Sequence, residues 1–269
     1  MLQTQKENFN MRIIFTIIFN GLHHLQHNNQ SEFILNNCDK WVVVEGASKS
    51  NGSTSWCKNI PDSLHSDGAS VDGTREFLEE LAKTTDKLVY VPSCGFWDSK
   101  DYQVNRAITE VRKLTETCFL WEFDIDEQWT SEAMVQAESE ILEKNAKTGS
   151  FLANCYVGKD IKAIGEWGEC APGGYTRLWN WSGEYFEKHE PPTLRGGNGI
   201  SLTLKPRFNH YNYYFEQDVS FKNDWYGGHE NILNKWKYIN MLPREEFPLS
   251  IDMLISGYWG TTRTILIKG

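Results

Sequence analysis

Residues 118–129 read Cys-Phe-Leu-Trp-Glu-Phe-Asp-Ile-Asp-Glu-Gln-Trp, a largely apolar run from Cys118 to Phe123 that ends in Asp124-Ile125-Asp126-Glu127. A run this short and this aromatic predicts a buried strand. The segments upstream have the same character. Met11 to Phe19 (MRIIFTIIF), Trp41 to Glu45 (WVVVE) and Lys87 to Pro92 (KLVYVP) read as further strands, because strands covered on both faces become continuous apolar runs. Between them lie helical patterns. Leu22 to Asn37 has Leu22, Leu25, Phe33 and Leu35; Arg75 to Lys83 follows Asp72-Gly-Thr; Gln103 to Thr115 aligns Val104, Ala107, Ile108, Val111 and Leu114 on one face. Strand and helix so alternate over about the first 125 residues, which predicts a right-handed, mostly parallel, doubly wound α/β sheet. Ligands of such sheets gather outside the carboxyl ends of the strands. Asp124 and Asp126 emerge at one of those ends, and alternation along an extended chain would turn both carboxylates to the same side. Two hard oxygen ligands, with Glu127 beside them, suit Mg²⁺ or Mn²⁺ shared with the phosphates of a substrate.

The second half has a different texture. Ser131 to Lys147 predicts a strong helix; Phe151 to Val157, Gly199 to Leu204, Tyr211 to Phe215 and Arg263 to Lys268 are strand-like; His229 to Met241 predicts a last helix. Gly165 to Gly183, with Trp167, Tyr175, Trp179 and Trp181 among glycines, and Glu187 to Gly199 read as loops. Aromatic rings in a loop suit the apolar C–H face of a sugar, so Trp167, Trp179 and Trp181 are the candidate acceptor-binding residues. A soft boundary near Gln128 to Glu132 divides the chain into an N-terminal tail (1–10), a half spanning 11–130 and a second half of the same domain, 131–269.

Composition narrows the function. The 269 residues are 40% hydrophobic and 23% charged, the profile of a packed globular protein. The formal net charge of −9, without a basic stripe, argues against nucleic acid as a partner. The six cysteines form no C-x-x-C pair, so buried free thiols are expected rather than a zinc cluster or redox motif. The longest apolar stretch, Ile13 to Phe19, is about a third of a membrane span, which predicts no transmembrane segment. The polar start of the chain lacks the pattern of a secretory signal, and a cytoplasmic location is expected.

The order of strand, acidic strand end, strand, helix with Asn-Arg, and D-x-D resembles the GT-A fold glycosyltransferases. RIIFTIIFNG, DKWVVVEGAS, DGTREFLEEL, DKLVYVP, DYQVNRAITEV and FLWEFDIDEQW carry the likeness. It is similar above all to the large second family of inverting glycosyltransferases and, in VVVEGA, to the family that adds bisecting N-acetylglucosamine. The resemblance implies a GT-A-like mixed, mostly parallel sheet with a Rossmann-like nucleotide-binding half and helices on both faces. It implies transfer, with inversion, from a UDP- or GDP-sugar donor to a glycan or other hydroxyl acceptor, with Mn²⁺ or Mg²⁺ as cofactor.

Carried onto this chain, the resemblance places Glu45, Lys100, Asn105, Arg106 and Asp124 toward the nucleotide, and Asp124 and Asp126 on the metal. A third metal ligand, frequently His in that fold, falls to His210 or His229. His229 is preferred, because Gly227-Gly228 before it permits close backbone approach. An inverting reaction needs a carboxylate base; Asp218, Glu216, Glu169 and Glu187 lie in the right half, with Asp218 and Glu187 put forward. Two features depart from the pattern: Glu45-Gly46-Ala47-Ser48 carries Glu where Asp is usual, and the insertion Lys49 to Ser70 is long. The rival readings are a nucleotidyltransferase, whose glycine-rich basic loop is missing after the first strand, and a non-catalytic carbohydrate-binding protein. A glycoside hydrolase would have no use for a nucleotide-facing half.

Overall fold

The computed structural model describes residues 11–227, 231–250 and 264–269. The N-terminal tail assigned to 1–10 and the metal-ligand candidate His229 lie outside the described residues.

The elements follow in chain order: β1 (Arg12–Ile18), α1 (Leu22–Gln26), α2 (Gln30–Asn36), β2 (Lys40–Glu45), α3 (Thr74–Thr84), β3 (Leu88–Val91), α4 (Lys100–Leu114) and β4 (Cys118–Glu122). Then come β5 (Glu127–Gln128), α5 (Ser131–Glu143), β6 (Thr148–Val157), β7 (Ile161–Gly165), α6 (Glu166–Glu169), β8 (Tyr175–Trp181), β9 (Phe186–Lys188) and β10 (Thr193–Leu194). The chain continues through β11 (Ser201–Tyr213), α7 (Glu216–Trp225), α8 (Ile232–Met241), β12 (Leu249–Ser250) and β13 (Thr264–Lys268).

The four strands expected from the first 125 residues form, and all four are parallel, in the order β3-β2-β1-β4. Beyond β4 the sheet turns antiparallel: β8 pairs with β4 on one side and β6 on the other, followed by β7, β13 and β12. β11 adds parallel to β6 and caps the short β5. Alternation sends side chains to two cores. Ile14, Trp41, Val43, Phe119 and Trp121 meet Leu25, Ile34, Leu78, Met134 and Ile141 from α1, α2, α3 and α5. Ile13, Phe15, Val42, Val44 and Leu120 meet Val104, Ala107, Ile108 and Val111 of α4 on the opposite face. The chain thus adopts the expected α/β architecture, a mixed sheet with a parallel half and helices on both faces.

Two local expectations change, and the long insertion takes a defined place. The crossover after β1 is two short helices rather than one, because Asn28 and Asn29 take left-handed backbone (φ 49 and 56) between them. The segment 165–183 is not a loop throughout: Tyr175–Trp181 is an interior strand. The long insertion after β2 is tied to the strand ends, with Ala47 N–H donating to Gly68 O (2.7 Å) and Ser70 N–H to Glu45 Oε1 (2.7 Å). Gly46, at φ +119, permits this return, since a Cβ there would lie 2.4 Å from the Ser93 Cβ.

Candidate functional site

At the end of β4 the chain does not stay extended. Ile125 and Asp126 occupy a turn closed by Glu127 N–H donating to Asp124 O (3.0 Å). The extended alternation expected for Asp124 and Asp126 therefore fails, and the two carboxylates meet different partners. β8, antiparallel to β4 with Trp121 opposite Leu178, brings Arg177 to the first. Arg177 Nη2 donates to Asp124 Oδ2 (2.5 Å), Nε donates to Glu127 Oε1 (2.8 Å), and Nη1 lies 3.9 Å from Glu122 Oε2. Burial works against the charge of this guanidinium, and the carboxylates of Asp124, Glu127 and Glu122 outweigh it. β11, whose His210 lies opposite Glu127, brings the second partner: His210 Nε2 is 3.5 Å from Asp126 Oδ2. Tyr211 N–H donates to Asp126 O (2.8 Å) and fixes the turn. Burial would raise the Asp126 carboxyl, yet the facing His210 holds it well below the usual carboxylate range.

Carboxylate outnumbers cation here. Glu122, 1% exposed, has both oxygens without a hydrogen bond among the described residues; Arg177 Nη1 lies 3.9 Å and His189 Nδ1 3.2 Å from it. Glu127 Oε2 is also unpartnered, and burial pushes the Glu127 carboxyl up to about 8. Buried polar oxygens without partners are uncommon in native structures; hard oxygen donors are the ligand type of Mg²⁺ or Mn²⁺, but among the described residues these carboxylates do not converge into a three-ligand group. The pairings of Asp124 and Asp126 each use one oxygen, Oδ2.

The other predicted residues make contacts of their own. Glu45, at the carboxyl end of β2, is fully buried; besides Ser70 N–H it faces Ser93 N–H and Oγ at 3.4 Å and Arg75 Nε at 3.5 Å. Asn105 binds the backbone of Phe186 in both directions, accepting from its N–H (2.8 Å) and donating to its O (3.0 Å). Arg106 pairs with Glu110 one turn on in α4. The Lys100 ammonium lies 5.1 Å from the centroid of the Trp225 ring. Glu187 is exposed on β9. Asp218, on α7, receives both histidines of α1: His23 Nε2 is 2.8 Å from Oδ1 and His24 Nε2 is 2.9 Å from Oδ2. Burial would raise the Asp218 carboxyl, and these two hydrogen bonds instead bring it down to about 2.

The aromatic candidates need correction. Trp179 and Trp181 are 1% and 0% exposed, because β8 lies between β4 and β6 with both faces covered. They pack in the core with Phe186 and α4 and cannot stack on an acceptor. Trp167, in α6, is half-buried against Tyr213, ring centroids 5.3 Å apart. Sequence reasoning missed Arg177. The available signal was the company it keeps: the acidic end of a buried strand demands a cation, and Arg177 is the one basic residue of the aromatic run YTRLWNW.

No family model and no curated protein sequence matches the chain. Among solved structures it is similar to the crystal structure of S. aureus TarS 1-349, with a TM-score of 0.44 and 12% identity over 84% of this chain and 70% of that one. The same fragment in complex with UDP-GlcNAc gives a TM-score of 0.44 and 12% identity over 86% and 72%. Francisella tularensis 2-C-methyl-D-erythritol 4-phosphate cytidylyltransferase (IspD) gives a TM-score of 0.33 and 11% identity over 91% and 85%. Among the described residues no helix is long and apolar enough to cross a membrane.

Proposed function

We propose that this chain is a metal-dependent glycosyltransferase that takes its sugar from a nucleoside diphosphate donor. The observation that carries the reading is the acidic turn at the carboxyl end of central β4, where among the described residues both Glu122 oxygens and Glu127 Oε2 are buried without hydrogen bonds and Asp124 and Asp126 follow the strand end. That edge is where α/β sheets receive nucleotides. Asp124 and Asp126 would hold Mn²⁺ or Mg²⁺, which when bound supplies charge to a departing diphosphate. Arg177 pairs with Asp124 Oδ2 and His210 faces Asp126 Oδ2. Glu122 and Glu127 lie beneath the turn, and a cation bound there would favour the charged form of Glu127, which burial otherwise opposes.

A panel of UDP- and GDP-sugars, with and without Mn²⁺, tests the reading by thermal stabilisation and by release of the nucleoside diphosphate. A donor present at 100 times its Kd adds about 2.7 kcal/mol of stability, and the proposal expects this only when Mn²⁺ is present. Stabilisation by a nucleoside triphosphate with Mn²⁺, and by no nucleotide sugar, would replace it with the nucleotidyltransferase reading.

A further inference from the structure

Helix α1, which follows β1, and helix α7 together hold a second constellation, of different chemistry from the acidic turn. His23 and His24 are consecutive in α1, and consecutive helical residues point about 100° apart and do not ordinarily meet. Here their ring centroids are 4.2 Å apart, and both Nε2 atoms converge on Asp218, which arrives from α7 nearly 200 residues later in the chain. The three ligand atoms, one from each side chain, lie within 4.8 Å of one another. Side-chain exposure is 17%, 5% and 14% for His23, His24 and Asp218. Both rings also stand edge-on against Phe215, at 5.1 and 5.2 Å, so their orientations are set by packing as well as by the carboxylate.

We infer that His23, His24 and Asp218 form a binding site for a borderline transition-metal cation of the Zn²⁺ or Co²⁺ class. Two neutral imidazoles and one carboxylate are a donor set for such ions, whereas Mg²⁺ and Ca²⁺ prefer oxygen throughout. One divalent cation satisfies all three side chains together, while two imidazolium rings in this contact would repel each other. Three protein ligands leave at least one position open for water or a substrate oxygen. The site differs from the turn at Asp124 and Asp126 in ligand type, so the two are separable by choice of metal even though His24 lies close enough to act on Asp126. The competing reading is a purely structural staple in which Asp218 ties α1 to α7 by two hydrogen bonds.

The probe is Co²⁺, added to metal-stripped protein carrying no polyhistidine tag and followed by its visible d–d absorption. The expected result is one equivalent bound, displaced by Zn²⁺ and unaffected by millimolar Mg²⁺. His23→Gln, at the most exposed of the three positions, should weaken Co²⁺ binding by more than about 100-fold, since loss of a direct ligand exceeds the cost of losing an outer-shell partner, while circular dichroism and melting show an intact fold. His24→Gln should do the same, and Asp124→Ala should leave the Co²⁺ spectrum in place. Absence of a saturable Co²⁺ spectrum in the parent protein overturns the inference, as does full Co²⁺ affinity in folded His23→Gln. Loss of the spectrum in Asp124→Ala, with His23→Gln unaffected, would move the metal to the acidic turn.

Discussion

Arg177 donates to Asp124 across 2.5 Å from a strand that runs antiparallel to the one ending in that aspartate. The same guanidinium also serves Glu127 and faces Glu122, so one basic residue from the second half of the chain holds three carboxylates from the first. The fold couples its halves at this point. β8 could not insert beside β4 without covering Glu122, and Glu122 could not be covered without a charge of opposite sign close by.

Arg177→Met should accordingly cost more than an ordinary core substitution. It keeps the aliphatic bulk and removes the charge, leaving Glu122, Asp124 and Glu127 without their shared cation. Losing one partner of a buried ion pair typically costs about 3–5 kcal/mol. A urea unfolding midpoint within experimental error of the parent would show that the network contributes nothing to stability.

Asp101 organises the opposite flank. It accepts from Ser53 N–H (2.9 Å), Ser53 Oγ (2.5 Å) and His189 N–H (2.7 Å), joining the long insertion and the segment after β9 to the start of α4. Burial alone would raise its carboxyl; the Ser53 hydroxyl and the backbone N–H groups of His189 and Ser53 outweigh that and lower it. A carboxyl depressed on folding contributes stability that is present above its unfolded value, about 4, and is lost as pH falls through its folded value. Asp101→Asn should therefore be less stable than the parent at pH 7, by about 1–3 kcal/mol. The gap should narrow as both proteins are taken below about pH 4, and urea titrations at the two pH values measure it. A gap constant with pH would detach the effect from ionisation.

The parallel half of this fold was legible because each strand there announces itself. MRIIFTIIF, WVVVE and CFLWEF are apolar runs broken by turn residues, and the spacing of Val104, Ala107, Ile108 and Val111 marks the face that α4 buries. The second half was less legible for a reason visible at β8. Its run YTRLWNW has the aromatic character of a strand, yet the glycines on either side and the polar Arg177 and Asn180 gave it the look of a loop. Partners supplied by β4 and β6, distant in sequence, decide that it is interior. The candidate site divides in the same way. Asp124 and Asp126 could be placed at a sheet edge from their own strand, but Arg177 and the His23–His24–Asp218 convergence depend on contacts that no local pattern encodes. The turn at Ile125-Asp126 shows the remaining limit: an acidic triplet after a strand carries no mark of whether the strand continues through it.

Thiol chemistry offers a direct check on burial. Cys94 is exposed and Cys170 half-buried, while Cys38, Cys57, Cys118 and Cys155 are buried. Burial pushes the Cys38, Cys57 and Cys118 thiols up to about 12, and the thiolate is the reactive form. Under native conditions a maleimide should modify Cys94 fastest and Cys170 more slowly. The remaining thiols should react only on unfolding, as peptide mass mapping of timed samples will reveal. Rapid native labelling of Cys118, which lies in β4 between the two layers of helices, would contradict the packing of the central sheet.

The decisive pair of variants is Asp124→Asn and Asp126→Asn. Each removes one negative charge from the turn and keeps a side chain of the same shape. The amide introduced by the first retains an oxygen for Arg177 to reach, and the amide introduced by the second retains a polar group facing His210, so neither change leaves a buried partner stranded as an alanine would. The turn itself is held by backbone groups, Glu127 N–H to Asp124 O and Tyr211 N–H to Asp126 O, which both substitutions spare. Intrinsic stability should then change by no more than about 1–3 kcal/mol. Cation binding should respond quite differently, because a neutral amide oxygen is a weaker ligand than a carboxylate for a hard divalent ion. The stabilisation that a UDP- or GDP-sugar gives the parent protein with Mn²⁺, about 2.7 kcal/mol at 100 times Kd, should disappear in both variants, and release of the nucleoside diphosphate with it. Differential scanning calorimetry with and without Mn²⁺ separates the two effects within one experiment. If both variants keep Mn²⁺-dependent stabilisation and turnover at the parent's level, the acidic turn is a structural counter-charge for Arg177 and His210, and the metal-dependent reading of the site is wrong.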